Sequence, residues 1–159
     1  MRIWPQKKSA WMGPGREVEV GGLRLQEKEG ASVPGYIFPF EKLDVWRESV
    51  DLADFVLGLL EHVPQGRHLR LISQMEGAVT SVAQNIAEGK GRQHRKEFLQ
   101  YLSIAQGSLY ETVTLNEVFG KRLIFSEAES VTIPLRAEML DRKLNGLMNA
   151  IRGKGRHGG

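Results

Sequence analysis

A cluster of basic side chains separates two stretches of helical periodicity within the segment SVAQNIAEGKGRQHRKEFLQYL, residues 81–102. The residues from 89 to 96 include no acid, and the Lys, Arg and His residues among them are Lys90, Arg92, His94, Arg95 and Lys96. Grouped cations bind polyanions because each phosphate that they neutralise releases condensed counterions. The pattern therefore indicates either a surface that faces an acidic partner or an ordinary solvated turn.

The distribution of charge along the chain indicates candidate binding surfaces better than the net charge does. The chain has 159 residues, and 22 Lys and Arg against 19 Asp and Glu give a net charge of +3. A second basic run without acids, containing Arg152, Lys154 and Arg156, follows residue 151. Concentrated patches like these attract polyanions in a way that a small net charge does not reveal.

Other chemistries lack the residues that they need. The absence of cysteine excludes disulfides, thiolate zinc sites and a cysteine nucleophile. A di-iron bundle needs a Glu-x-x-His motif on each of two helices, and the sequence has none. The Gly-Lys-Gly at residues 89–91 lacks the rest of a phosphate-binding loop. We therefore expect no catalytic residue, no metal and no cofactor.

The elements that must position the cluster are helices, because apolar residues recur at helical spacing from residue 40 onward. The predicted helices cover residues 42–62, 69–88, 93–119 and 126–152. Gly89 is predicted to be a left-handed cap that ends the second helix, so that the glycines form the turn. Ser126 and Glu129 predict a capping box, and Pro134 predicts a kink or a division of the fourth helix.

Four helices with short connections predict an all-α protein, an antiparallel up-down-up-down four-helix bundle. The first helix has one predicted seam at Trp46, Val50, Ala53, Leu57 and Leu60. A second apolar row, which includes Leu52 and Val56, widens this face. A face of this width suits a helix that is buried by two neighbours, and it also favours a homo-oligomer.

The N-terminal extension, residues 1–39, lacks helical periodicity. Within it, EVEVGGLRLQ alternates around Gly21 and Gly22 and predicts a β-hairpin. A poorly ordered tail and a segment that is not native are the alternatives. We thus divide the chain into this extension, the bundle at 40–152 and a basic tail at 153–159. No apolar run approaches the ~20 residues of a membrane span, and we expect a soluble cytoplasmic protein.

The quoted motifs resemble a known bacterial family. FEKLDVWRESVDLA, SVAQNIAEGKGR, KEFLQYLSIAQGSLYE and LNGL are similar to four-helix-bundle proteins often encoded in intervening sequences of 23S ribosomal RNA genes. The resemblance covers about residues 40–152. It implies a left-handed antiparallel bundle that forms a homopentamer, with no assigned enzymatic activity. In a related branch, the accessory variability proteins of diversity-generating retroelements, a basic pentamer binds a reverse transcriptase and its template RNA.

Two motifs carry the resemblance, Asn-Ile-Ala-Glu-Gly and Gly-Ser-Leu-Tyr-Glu. Asn85 and Glu88 of the first motif either fix the hinge to the third helix or belong to a subunit or partner contact. Ser108 and Glu111 of the second motif are spaced for a local hydrogen bond.

The sequence also departs from the family's pattern. Glu76 and Gly77 replace an Arg-Arg pair that is frequent in the family, so RNA contacts that depend on that pair are not expected here. Ala83 replaces a frequent proline.

Two functions follow as hypotheses. The first is a non-enzymatic oligomer that binds nucleic acid, most plausibly RNA, with a reverse transcriptase as a candidate partner. The second is a protein-interaction scaffold that does not bind nucleic acid. Near-balanced charge, the lost arginine pair and the lack of a stacking aromatic residue between residues 89 and 97 favour the second.

Overall fold

The computed structural model describes residues 18–20, 23–25, 37–64, 66 and 68–153. It contains two compact units, Met1–Tyr36 and Ile37–Gly159. In the first unit, β1 (Val18–Val20) pairs with β2 (Leu23–Leu25) in antiparallel register, with Val18 opposite Leu25. This pairing has the register that the alternating pattern predicts. The predicted turn at residues 21–22 lies outside the described residues. So does the predicted tail at 153–159, except for Gly153, which is the last residue of the fourth helix.

In the described part of the second unit, four helices form an antiparallel bundle: α1 (Asp44–Leu60), α2 (Leu69–Gly91), α3 (Arg95–Lys121) and α4 (Glu127–Gly153). Each helix packs on the next one in sequence, and α1 also packs on α4, so the four helices form a closed square. The predicted all-α bundle is confirmed. The up-down order places the α2–α3 hinge and the C-terminal end of α4 at the same end of the bundle.

One apolar stripe from each helix fills the core. Its largest fully buried side chains include Leu52, Met75, Ile86, Leu102, Leu109, Phe119, Ile133, Leu140 and Leu144. Burial of such side chains is the main stabilising contribution to folding.

The predicted seam of α1 is displaced around the helix. Val45, Ser49, Leu52 and Val56 are buried, whereas Trp46 of the predicted seam is only partly buried. Ala53 and Leu60 of the predicted seam are buried as well, and Leu52 and Val56 belong to the second predicted row. Because α2 and α4 both pack on α1, both rows contribute to the core. The width of this face is therefore used within the bundle, and the face does not by itself require another subunit.

The connection from α3 to α4 differs from the prediction at Gly120. The helix continues through this residue to Lys121, and Leu123 adopts the left-handed conformation with φ of 54°. A Cβ atom on Gly120 would lie 2.9 Å from the Ser130 Oγ, so the glycine permits close packing between α3 and α4. The predicted capping box is present, since the Ser126 N–H donates to the Glu129 carboxylate at 2.7 Å.

α4 is one continuous helix through Pro134, so of the two predicted alternatives, a kink or a division, the division into two helices does not occur. Proline has no N–H, so the carbonyl of Ser130 loses its helical donor. Asn116 of α3 replaces that donor, because its Nδ2 donates to the Ser130 carbonyl oxygen at 2.8 Å. Asn116 is buried. A side chain on one helix thus satisfies the backbone of another.

We expect Asn116→Ala to lower the free energy of unfolding by about 1–3 kcal/mol, because it leaves a half-buried residue's carbonyl unpaired. In a Pro134→Ala background the same substitution should cost less, since an alanine there brings its own N–H to the Ser130 carbonyl. Urea unfolding of both single variants and the double variant measures this coupling. An equal loss in the two backgrounds would contradict the exchange of donors.

Candidate nucleic-acid interface at the α2–α3 hinge

The hinge is shorter than the sequence predicts. α2 continues to Gly91 and α3 begins at Arg95, so only Arg92, Gln93 and His94 connect them. Gly89 lies inside α2, and the predicted left-handed cap at this residue is wrong. The C-terminal cap is Arg92, whose φ of −74° and ψ of 147° are extended.

Gly89 is needed for the approach of two helices. It is buried, and a Cβ atom there would lie 2.5 Å from the Tyr101 Cβ and 3.0 Å from a Phe98 ring carbon. Gly91, in contrast, has open space where a Cβ atom would lie. The absence of a side chain at residue 89 therefore lets the first turns of α3 lie directly against the end of α2.

A three-residue cluster forms at this close approach. The Arg92 Nη2 donates to Glu88 and, at 2.5 Å, to the Tyr101 hydroxyl. The Tyr101 hydroxyl donates to the Glu88 Oε1 at 2.8 Å, and the Arg92 Cζ lies 4.8 Å from the Tyr101 ring centroid. The bonds from Tyr101 and Arg92 lower the pKa of Glu88, so its carboxylate keeps its charge. Glu88 thus joins the hinge to α3.

The two family motifs meet one to two turns further along the same helices. The Asn85 Nδ2 donates to the Ser81 carbonyl at 2.8 Å and to the Ser81 Oγ at 2.9 Å. The Ser81 Oγ lies 3.0 Å from the Ser108 Oγ, which also donates to the Ile104 carbonyl. Ser108 therefore bonds across α2 and α3. The local bond predicted between Ser108 and Glu111 does not occur among the described residues, and Glu111 is exposed.

The basic residues of the hinge divide into held and free side chains. Arg92 is held by Glu88 and Tyr101, and the Lys90 Nζ lies 5.7 Å from the Phe98 ring centroid. His94, Arg95 and Lys96 are exposed, and their side chains form no hydrogen bond or ion pair with the rest of the described chain. The free positive charge of the hinge therefore comes from the first residues of α3.

The second basic run is described only at its start. Arg152 is exposed near the end of α4, and its Nη1 donates to the Asn149 Oδ1 at 3.3 Å. The antiparallel order brings this residue to the hinge end of the bundle. Lys154 and Arg156 lie outside the described residues.

Sequence reasoning missed the aromatic residues of this site. No aromatic residue occurs between residues 89 and 97, yet Phe98 and Tyr101 contact the side chains of Lys90 and Arg92. The signal was present in the helical spacing, because residues 98 and 101 lie on one face of the first turns of α3.

Two other kinds of site were sought in the described residues. No group of three or more His, Asp or Glu side chains there could hold a metal ion. Within the same ranges, every helix is too short or too polar to cross a bilayer.

The fold and the hinge define the class of the protein as an antiparallel four-helix bundle with a basic α2–α3 connection. The model of the 23S rRNA-intervening sequence protein family matches residues 41–146, and the chain belongs to this family.

Comparisons with individual proteins add a likeness in fold. A crystal structure from Bacteroides thetaiotaomicron, described as a protein with unknown function from the S23 ribosomal protein family, is similar to this chain with a TM-score of 0.62. The two sequences are 21% identical, and the match covers 65% of this chain and 97% of the other. No curated protein matches this chain.

We expect Gly89→Ala to destabilise the bundle by about 1–3 kcal/mol, because the added methyl group overlaps Tyr101 and forces two helices apart. Gly77→Ala is the matched control, since residue 77 lies within the same helix with nothing near its missing Cβ atom. That substitution should stabilise by about 0.5–1 kcal/mol through helix propensity. Thermal and urea unfolding compare the stabilities of the two variants. If both substitutions stabilise the protein, the close approach of α3 to α2 does not require a glycine at residue 89.

Proposed function

We propose that this protein is a non-enzymatic, homo-oligomeric nucleic-acid-binding protein of the cytoplasm, and that it binds RNA at the hinge end of the bundle. The observation that supports this most directly is the exposure of His94, Arg95 and Lys96 without a partner among the described residues. Arg152 adds positive charge at the same end.

The mode of binding follows from the residue types. Lys and Arg side chains on a surface contact phosphates, and the release of counterions then gives affinity that falls steeply with salt. Such contacts position the protein on the backbone of a nucleic acid but do not read its sequence. Because Arg92 already has an acidic partner, Arg95 and Lys96 carry most of this electrostatic contribution.

A homopentamer is the oligomer that the family resemblance favours. Three apolar side chains on the outer face of α4 support self-association, since Val131, Leu135 and Met139 are 53%, 57% and 59% exposed. They are four residues apart and form one stripe along the helix. A cyclic oligomer repeats every patch around one axis, so it would arrange the hinges as a ring.

The proposal extends to a reverse transcriptase and its template RNA as partners. This extension rests only on the resemblance to the accessory variability proteins.

A protein-interaction scaffold is the second candidate. The same α4 stripe favours it, because exposed apolar surface is typical of protein contacts. The described cations of α4 also have partners within the bundle: Arg142 binds Glu138, and Lys143 binds Glu48.

We expect Arg95→Gln/Lys96→Gln to weaken RNA binding by about tenfold at low salt and to reduce the slope of log affinity against log salt by up to about 2. Lys121→Gln/Arg122→Gln is the matched control, because it removes the same charge from the opposite end of the bundle. Filter binding at two salt concentrations measures both. If the wild type binds no RNA at low salt, the scaffold is favoured. If the two variants lose RNA affinity equally, the hinge is not the RNA-binding surface.

Light scattering of the wild type should give a mass about five times that of one chain, for a pentamer. Leu135→Asp/Met139→Asp places charges in the α4 stripe and should shift this mass toward the monomer, while far-UV circular dichroism stays helical. Glu138→Gln/Arg142→Gln, on the same helix, leaves the apolar stripe unchanged and serves as the control. A wild type of single-chain mass at micromolar concentration would refute oligomerisation.

A further inference from the structure

We infer that the hinge binds unpaired nucleotides, with the guanidinium plane of Arg92 as a stacking surface for one base. Arg95 and Lys96 follow by three and four residues and are placed to contact the adjoining phosphates. This inference rests on the proposed function, because it specifies the kind of RNA that the hinge would bind.

The guanidinium of Arg92 is held in place before any ligand binds. One nitrogen, Nη2, donates to both Glu88 and Tyr101, and the Cζ lies 4.8 Å from the Tyr101 ring centroid. A free arginine side chain loses rotamer entropy when it binds, whereas a side chain that is already anchored loses less. The cluster therefore fixes a planar group at low entropic cost.

The held side chain keeps a surface for a ligand. Its exposed fraction is 41%, although Glu88 and Tyr101 both contact it. The Arg92 Nη1 and Nε atoms form no hydrogen bond with other described residues, so they remain donors for a phosphate or a base edge. Tyr101 contacts the guanidinium, and the solvent-exposed part of the group is where a base would stack.

The chemistry of this group favours single strands. Unpaired bases stack on aromatic rings and on arginine guanidinium planes, whereas the bases of a duplex are already stacked on each other. Lys90 and Phe98 form a second cation–aromatic pair beside the first. A surface of lysines alone would bind duplex and single-stranded RNA through charge only. The Arg92–Tyr101 pair adds stacking, so we expect a higher affinity for the single strand than for the duplex.

The test uses the full chain and two probes of equal nucleotide number: a single-stranded oligoadenylate with a central 2-aminopurine, and an RNA duplex. We expect Arg92→Lys to weaken binding of the single strand by about fivefold, because the charge remains and the stacking plane is lost. Duplex binding should change less than twofold. Arg95→Lys is the matched control, and it should change neither affinity by more than twofold.

Quenching of 2-aminopurine on binding is a second readout that a merely structural role of Arg92 would not give. The wild type is measured first, and binding without quenching by the wild type overturns stacking even if Arg92→Lys fails to fold. Quenching by the wild type, with less quenching by Arg92→Lys, supports stacking. Binding without quenching, or equal affinity of the variant and the wild type for the single strand, overturns stacking and leaves RNA binding intact. If the wild type binds neither probe, the proposed function itself fails.

Discussion

The contact between α2 and α3 at Gly89 is the constraint on which the hinge depends. Because residue 89 has no side chain, the Cβ of Tyr101 can lie over the α2 backbone at a distance that no other amino acid would allow. This proximity lets Tyr101 reach both Glu88 and Arg92. The position of the Arg92 guanidinium follows from this packing.

The pairing of charges differs between the sides of the bundle. On α4, Lys143 binds Glu48 of α1, which raises the lysine pKa, and the Arg136 Cζ lies 4.3 Å from the Phe55 ring centroid. These cations stabilise helix packing. Arg95 and Lys96 have no such role in the described chain, so a polyanion could bind them without breaking an internal contact.

The helical spacing of apolar residues predicted the four helices well, because each helix contributes a continuous row of side chains to one core. Met75, Val79, Val82 and Ile86 of α2 recur at helical spacing and are fully buried, and Ile72 of the same row is partly buried. Glycine was harder to interpret, since a pattern cannot distinguish a glycine that ends a helix from one that a neighbouring helix contacts. Gly89 and Gly120 are both of the second kind. The aromatic partners of Lys90 and Arg92 also escaped prediction, because they follow the basic run in sequence and approach it only in the folded bundle.

The bond from Asn116 to the Ser130 carbonyl constrains the order in which the sequence could have changed. A proline at residue 134 leaves the Ser130 carbonyl, which belongs to a half-buried residue, without its donor unless an amide on α3 already reaches that carbonyl. The asparagine alone destabilises the bundle little, whereas the proline alone leaves the carbonyl unpaired and destabilises it more. The asparagine is therefore expected to have been acquired before the proline. Once both are present, the asparagine cannot be lost cheaply while the proline remains. A proline at residue 134 of α4 thus depends on a donor at residue 116 of α3. Among relatives, this dependence would appear as correlated substitutions at residues 116 and 134.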